Sequence, residues 1–67
     1  MARLERGVKA IRKQLEAAGF VQVPGGKGSH EKWEKAGHRP VIVPAGHGKE
    51  VSPGVARSIA KAIEAAA

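Results

Sequence analysis

The sequence predicts an α+β protein: an α-β-β-β-α two-layer sandwich with both helices on one face of a three-stranded antiparallel sheet. Three observations carry this. Apolar residues recur at helical spacing near both ends of the chain, the stretch between them alternates with a period of two, and Gly- and Pro-containing turns punctuate that stretch. An amphipathic helix and a one-sided sheet must each bury an apolar face, and stacking them as two layers satisfies both. The 67 residues suffice for a single domain over 1–67, with a thin core, and no repeat or linker is visible.

Leu4, Val8, Ile11 and Leu15 are spaced by four, three and four positions, which places them on one helical face and predicts a first helix over residues 3–18. Arg6, Lys9 and Lys13 fall on the opposite side, where water or a phosphate backbone could meet them. Gly19 can take the left-handed conformation that ends a helix, and Phe20 can fold back onto the final turn. Residues 20–23 are β-prone and run into Pro24-Gly25-Gly26, which predicts a short strand and a turn. A second strand is expected over residues 30–35. Its alternation separates His30, Lys32 and Glu34 from Glu31, Trp33 and Lys35. Trp33 is one of only two aromatic residues, so its face is assigned to the core, leaving His30 on the open face beside Lys32. Residues 35–38 supply a turn and residues 39–43 a third strand, closed by Pro44. After a polar loop, Ser52 caps a second helix that begins at Pro53 and gathers Val55, Ile59, Ala62, Ile63 and Ala66 on its apolar face.

Twelve Lys and Arg against six acidic residues give a net charge of +6, a surplus that attracts polyanions at long range. RNA, DNA, an anionic membrane and an acidic protein all fit that charge. Membrane binding is the weakest of these, because the apolar stripe of the first helix is what a buried helix of a small domain requires, and no apolar run is long enough to span a bilayer. The lack of Cys removes disulfides and thiolate metal ligands and suits a reducing compartment, so a cytoplasmic location is expected. The chain has no Asp, so a Ser-His-Asp set cannot be assembled. Its three histidines, His30, His38 and His47, lack the close spacing usual for zinc ligands, and no metal or other cofactor is expected.

The stretch Gly25-Gly26-Lys27-Gly28-Ser29-His30 joins an amide-rich loop to an imidazole. Glycines let backbone N–H groups approach an anion, Lys27 can neutralise a phosphate, and a histidine can move a proton near neutral pH. From the residues alone, a plain hairpin turn before a surface histidine explains the same pattern. The spacing is not that of a nucleotide-triphosphate loop.

Taken together, Gly26-x-Gly28-Ser29-His30-x-x-Trp33, the Val41-Ile42-Val43-Pro44 strand, His47-x-Lys49-Glu50 and Pro53-Gly54-x-x-Arg57-Ser58-Ile59 resemble the HicA family of toxin mRNA interferases. The likeness runs from about Leu4 to Ile63 and keeps the order of the motifs. It implies a fold like that of double-stranded-RNA-binding domains, metal-independent ribonuclease activity on mRNA, and neutralisation by a HicB antitoxin. By position, His30 falls on the family's catalytic histidine, Gly28 and Ser29 on the loop before it, and Trp33 on its buried aromatic residue. Two departures stand out. Glu31 occupies a site where many members carry another histidine or a neutral polar residue, and the end of the second helix is rich in Ala where larger apolar residues are usual.

With that resemblance, the expected reaction is attack of a ribose 2′-hydroxyl on the adjacent phosphate, with His30 removing the proton. Lys27, Lys32 and the amides of residues 26–29 would meet the charge that develops on the phosphate oxygens. His47 is one candidate for the proton donor to the leaving oxygen; the alternative is a loop histidine that steadies the approach to the second helix. Lys49 is a secondary candidate for RNA contact, and His38 is given no role. With Trp33 and Phe20 both expected in the core, base stacking should be weak and sequence preference low. The competing functions are a non-catalytic RNA-binding module using the same basic surface, and a basic protein that docks an acidic partner.

Overall fold

The computed structural model describes residues 4–25, 28, 30–46 and 48–66. Five elements follow one another: α1 (Val8–Ala17), β1 (Val21–Val23), β2 (His30–Glu34), β3 (Val41–Pro44) and α2 (Pro53–Ala66). The strands form one antiparallel sheet in the order β1-β2-β3. This is the α-β-β-β-α arrangement expected from the sequence.

Helix α1 starts later than the spacing of Leu4, Val8, Ile11 and Leu15 predicts. Leu4 lies outside it and is 45% exposed. The reason is Gly7, which is extended (φ −70°, ψ 130°) and forms an antiparallel bridge with Glu50. The Val8 amide donates to the Lys49 carbonyl (2.8 Å), and the Val51 amide donates to the Arg6 carbonyl (2.8 Å). Arg6, expected on the outer face of the helix, instead donates from Nε to the Val51 carbonyl (3.0 Å). Gly costs about 1 kcal/mol relative to Ala inside a helix but is accepted at an N-cap, so the helix begins just after it.

The other end of α1 matches its prediction. Gly19 is left-handed (φ +94°), its amide donates to the Glu16 carbonyl (3.0 Å), and the Phe20 amide donates to the Leu15 carbonyl (2.9 Å). These two bonds close a Schellman motif, and Phe20, just beyond it, is buried. Phe20 therefore belongs to the helix terminus, not to β1. Lys35 likewise leaves the sheet after Glu34, and with Gly37 (φ +82°) it forms a turn in which the His38 amide donates to the Lys35 carbonyl (3.0 Å). Strand β3 is shifted from the expected 39–43. Arg39 and Pro40 stay outside it and Pro44 pairs with His30, which a proline can do on an edge strand. Ser52 caps α2 through its hydroxyl, which accepts from the Val55 amide (3.3 Å).

The register pairs Trp33 with Gln22 and Val41, and Glu31 with Val43, on the face that the helices cover. Val8, Ile11 and Leu15 of α1 and Ala56, Ile59 and Ala66 of α2 complete one core with Trp33, Val41 and Val43. Both helices therefore pack on one side of the sheet. On α2, Ala56 is buried in place of Val55, which is only half-buried along with Ala62 and Ile63. A methyl group at the innermost position lets the helix approach closely while the branched residues flank it. The Ala-rich end of α2 is tied down as well: Ala66 is buried, and its carbonyl accepts from Lys35 Nζ (2.7 Å).

Candidate functional site

The sheet face opposite the helices is where the sequence places its chemistry. Pairing across the strands puts His30 beside Pro44, Lys32 between Val23 and Ile42, and Glu34 beside Val21. Ile42 and Val21 are 45% and 64% exposed. The result is an apolar platform crossed by a line of three ionisable residues on β2. His30 opens that strand and is exposed. Lys32 follows two residues later on the same face, about 7 Å along the strand.

Lys32 is partly neutralised within the protein, since its Nζ lies 3.4 Å from Glu34 Oε2. Its aliphatic stem runs past Gly25, where an added Cβ would come within 3.7 Å of Cδ. The cation therefore sits at the exit of β1 into the Gly-rich loop. Gly28, in that loop, is left-handed (φ +58°) and open, with nothing within 4 Å of the position a Cβ would take. Lys27, Ser29 and His47 lie outside the described residues. His38 is at the far end of β2 from His30 and packs against Phe20, with ring centroids 6.4 Å apart.

Lys49 does not share the face of His30 and Lys32. It is exposed in the loop before α2, where its carbonyl accepts from Val8, and it lines a cavity with Lys9 and Arg12. Sequence reasoning also missed a cluster beneath β2. Arg12 Nε donates to both carboxylate oxygens of Glu31 (3.1 and 3.0 Å), the Arg12 guanidinium NH2 group completes the pair, and Trp33 Nε1 donates to Glu31 Oε1 (3.2 Å). Hydrogen bonds from Arg12 hold the Glu31 carboxyl below its ordinary range. Burial opposes this, while the Trp33 bond and the charge of Arg12 reinforce it. Glu31 thereby clamps α1 to the strand that carries His30.

The site and fold define a small basic α+β protein with an exposed histidine at the mouth of a Gly-rich loop. The profile described as HicA toxin of bacterial toxin-antitoxin matches residues 8–65, and the chain belongs to that family of toxins. No curated protein sequence matches it. Among solved structures, it is similar to a chain of a toxin-antitoxin complex from Streptococcus pneumoniae. The two share 36% identity with a TM-score of 0.75, over 88% of this chain and 97% of that one.

Proposed function

We propose that this toxin is an endoribonuclease that cleaves mRNA through His30, without a metal, and is neutralised by a HicB-type antitoxin. The observation that carries the reading is the place of His30. It is exposed, it follows a Gly-rich loop directly, and it shares the uncovered sheet face with Lys32, in a chain of the HicA family. His30 takes the proton from a ribose 2′-hydroxyl, whose oxygen bonds to the adjacent phosphorus as the bond to the 5′-oxygen breaks. The products are a 2′,3′-cyclic phosphate and a 5′-hydroxyl. Lys27, Lys32 and the amides of residues 26–29 stabilise the charge on the phosphate oxygens, and an incoming phosphate competes with Glu34 for Lys32. His47 serves as proton donor to the leaving oxygen. The solved relative comes from a toxin-antitoxin complex, which supports an antitoxin as partner here; covering His30 and the basic face would suffice to exclude RNA.

The test is incubation of wild type and His30→Ala with labelled single-stranded RNA in excess chelator, with products resolved by end chemistry. Cutting by wild type to 2′,3′-cyclic ends, and its loss in the variant, is the expected result. Cutting of an all-deoxy oligonucleotide, or products with a 3′-hydroxyl, overturns the mechanism, since DNA lacks the nucleophile. Binding without any cutting in either protein favours a non-catalytic RNA-binding module.

A further inference from the structure

A cavity of about 350 Å³ lies beside the start of α1, away from the outer sheet face. Gly7, Lys9 and Arg12 line one side and Ala45, Gly48 and Lys49 the other. Among the described residues, three cations and no carboxylate line it, whereas the groove between β3 and α2 is apolar apart from Ser58. Arg12 is engaged by Glu31, but among the described residues neither Lys9 nor Lys49 has an ion-pair partner, and both are exposed. The backbone is open at Gly7 and Gly48, where an added Cβ would meet nothing within 4 Å. The first turn of α1 has no acidic residue and its cap offers no side-chain bond, so the start of the helix places no carboxylate at the cavity.

The position of the cavity connects it to His30. His30 pairs with Pro44 at one end of the sheet, and Ala45, the next residue, forms the cavity wall. We propose that this cavity binds a backbone phosphate of the RNA flanking the scissile one, held by Lys9 and Lys49, with Arg12 fixed in place by Glu31. The proposal rests on the ribonuclease reading and adds a second point of attachment to it. A single histidine on an open sheet face gives little purchase on a flexible strand; a second phosphate anchor fixes the register in which the 2′-hydroxyl meets His30.

The experiment measures binding of labelled single-stranded RNA to the whole chain carrying His30→Ala, at several salt concentrations. It is repeated with Lys9→Gln and Lys49→Gln together, and separately with Gly7→Asp. The double Lys variant is expected to bind about tenfold more weakly near 0.1 M salt, with the logarithmic salt slope reduced by about 0.7, the value for one phosphate of a single strand. Gly7→Asp puts a carboxylate at the cavity edge in a helix N-cap position that Asp favours, so affinity falls while thermal stability is kept. Unchanged affinity and slope in both variants, or no RNA binding by the parent, overturns the site. Failure of the ribonuclease reading is distinguishable: wild type would cut no RNA, yet loss of Lys9 and Lys49 would still weaken binding and flatten the salt slope.

Discussion

Glu31 and His30 are neighbours on one strand and answer to different constraints. Period-two alternation was enough to send His30 outward and Trp33 inward, because one buried aromatic residue fixes the face of every other position on β2. What the alternation could not show is that the inward Glu31 would find Arg12, 19 positions earlier, since that contact exists only once α1 lies across the sheet. The carboxyl of Glu31 titrates below its ordinary value of about 4.3, so the stabilisation from its pairing is fully present above that pH and is lost as pH falls through the lowered value. Glu31→Gln should therefore cost about 1 kcal/mol at pH 7, a modest figure because Arg12 is 41% exposed. In urea melts the gap between wild type and variant should narrow as pH is lowered from 5 to 3. A gap that is constant across that range would mean that packing, and not the ion pair, accounts for the loss.

At the level of elements, the two helix ends meet at Lys35. Its ammonium donates to the carbonyl of Ala18 (2.6 Å), past the end of α1, and to that of Ala66 (2.7 Å) in the last turn of α2. One cation thus satisfies a terminal carbonyl of each helix and sits at the negative end of both dipoles. Lys35→Met should keep the stem and lose these bonds, lowering stability by about 1–3 kcal/mol. Gly19 lies against the same side chain. Gly19→Ala forces a left-handed conformation on a residue with a Cβ, a cost of about 1–2 kcal/mol, and brings that Cβ within 3.1 Å of Lys35 Cε. The two losses should not add: in a double-mutant cycle Gly19→Ala should cost less in the Lys35→Met background, where the thioether can bend away. Strict additivity in thermal melts would show that only the backbone of Gly19 matters. The Gly19 stop was legible because helix termination is local. Lys35 was not, because its role depends on two termini converging; and the start of α1 was misread because Leu4 keeps helical spacing while the Gly7 bridge to Glu50, 43 positions away, decides where the helix begins.

For the molecule as a whole, the two aromatic residues are spent on the core. Trp33 and Phe20 are each 3% exposed, and the sequence holds no Tyr. Among the described residues the outer sheet face offers aliphatic side chains, His30, Lys32 and Glu34, so an RNA strand there meets a cation and a proton carrier but no Trp, Tyr or Phe ring for its bases to stack on. Stacking on an aromatic side chain is worth about 1–3 kcal/mol per base, and a site without it recognises the backbone, which is the same for every sequence. The net charge of +6 acts in the same direction, since phosphate attraction is blind to the base. Under the ribonuclease reading, His30-dependent cleavage of unstructured RNAs of different sequence should differ by less than about tenfold, which corresponds to about 1.4 kcal/mol of discrimination. The rate at subsaturating RNA should fall steeply as salt rises. A panel of naked single-stranded RNAs assayed with wild type and His30→Ala checks both expectations. One motif cut a hundredfold faster than the rest would require base-reading contacts that this sheet face does not supply, and would move recognition onto the loops that flank it.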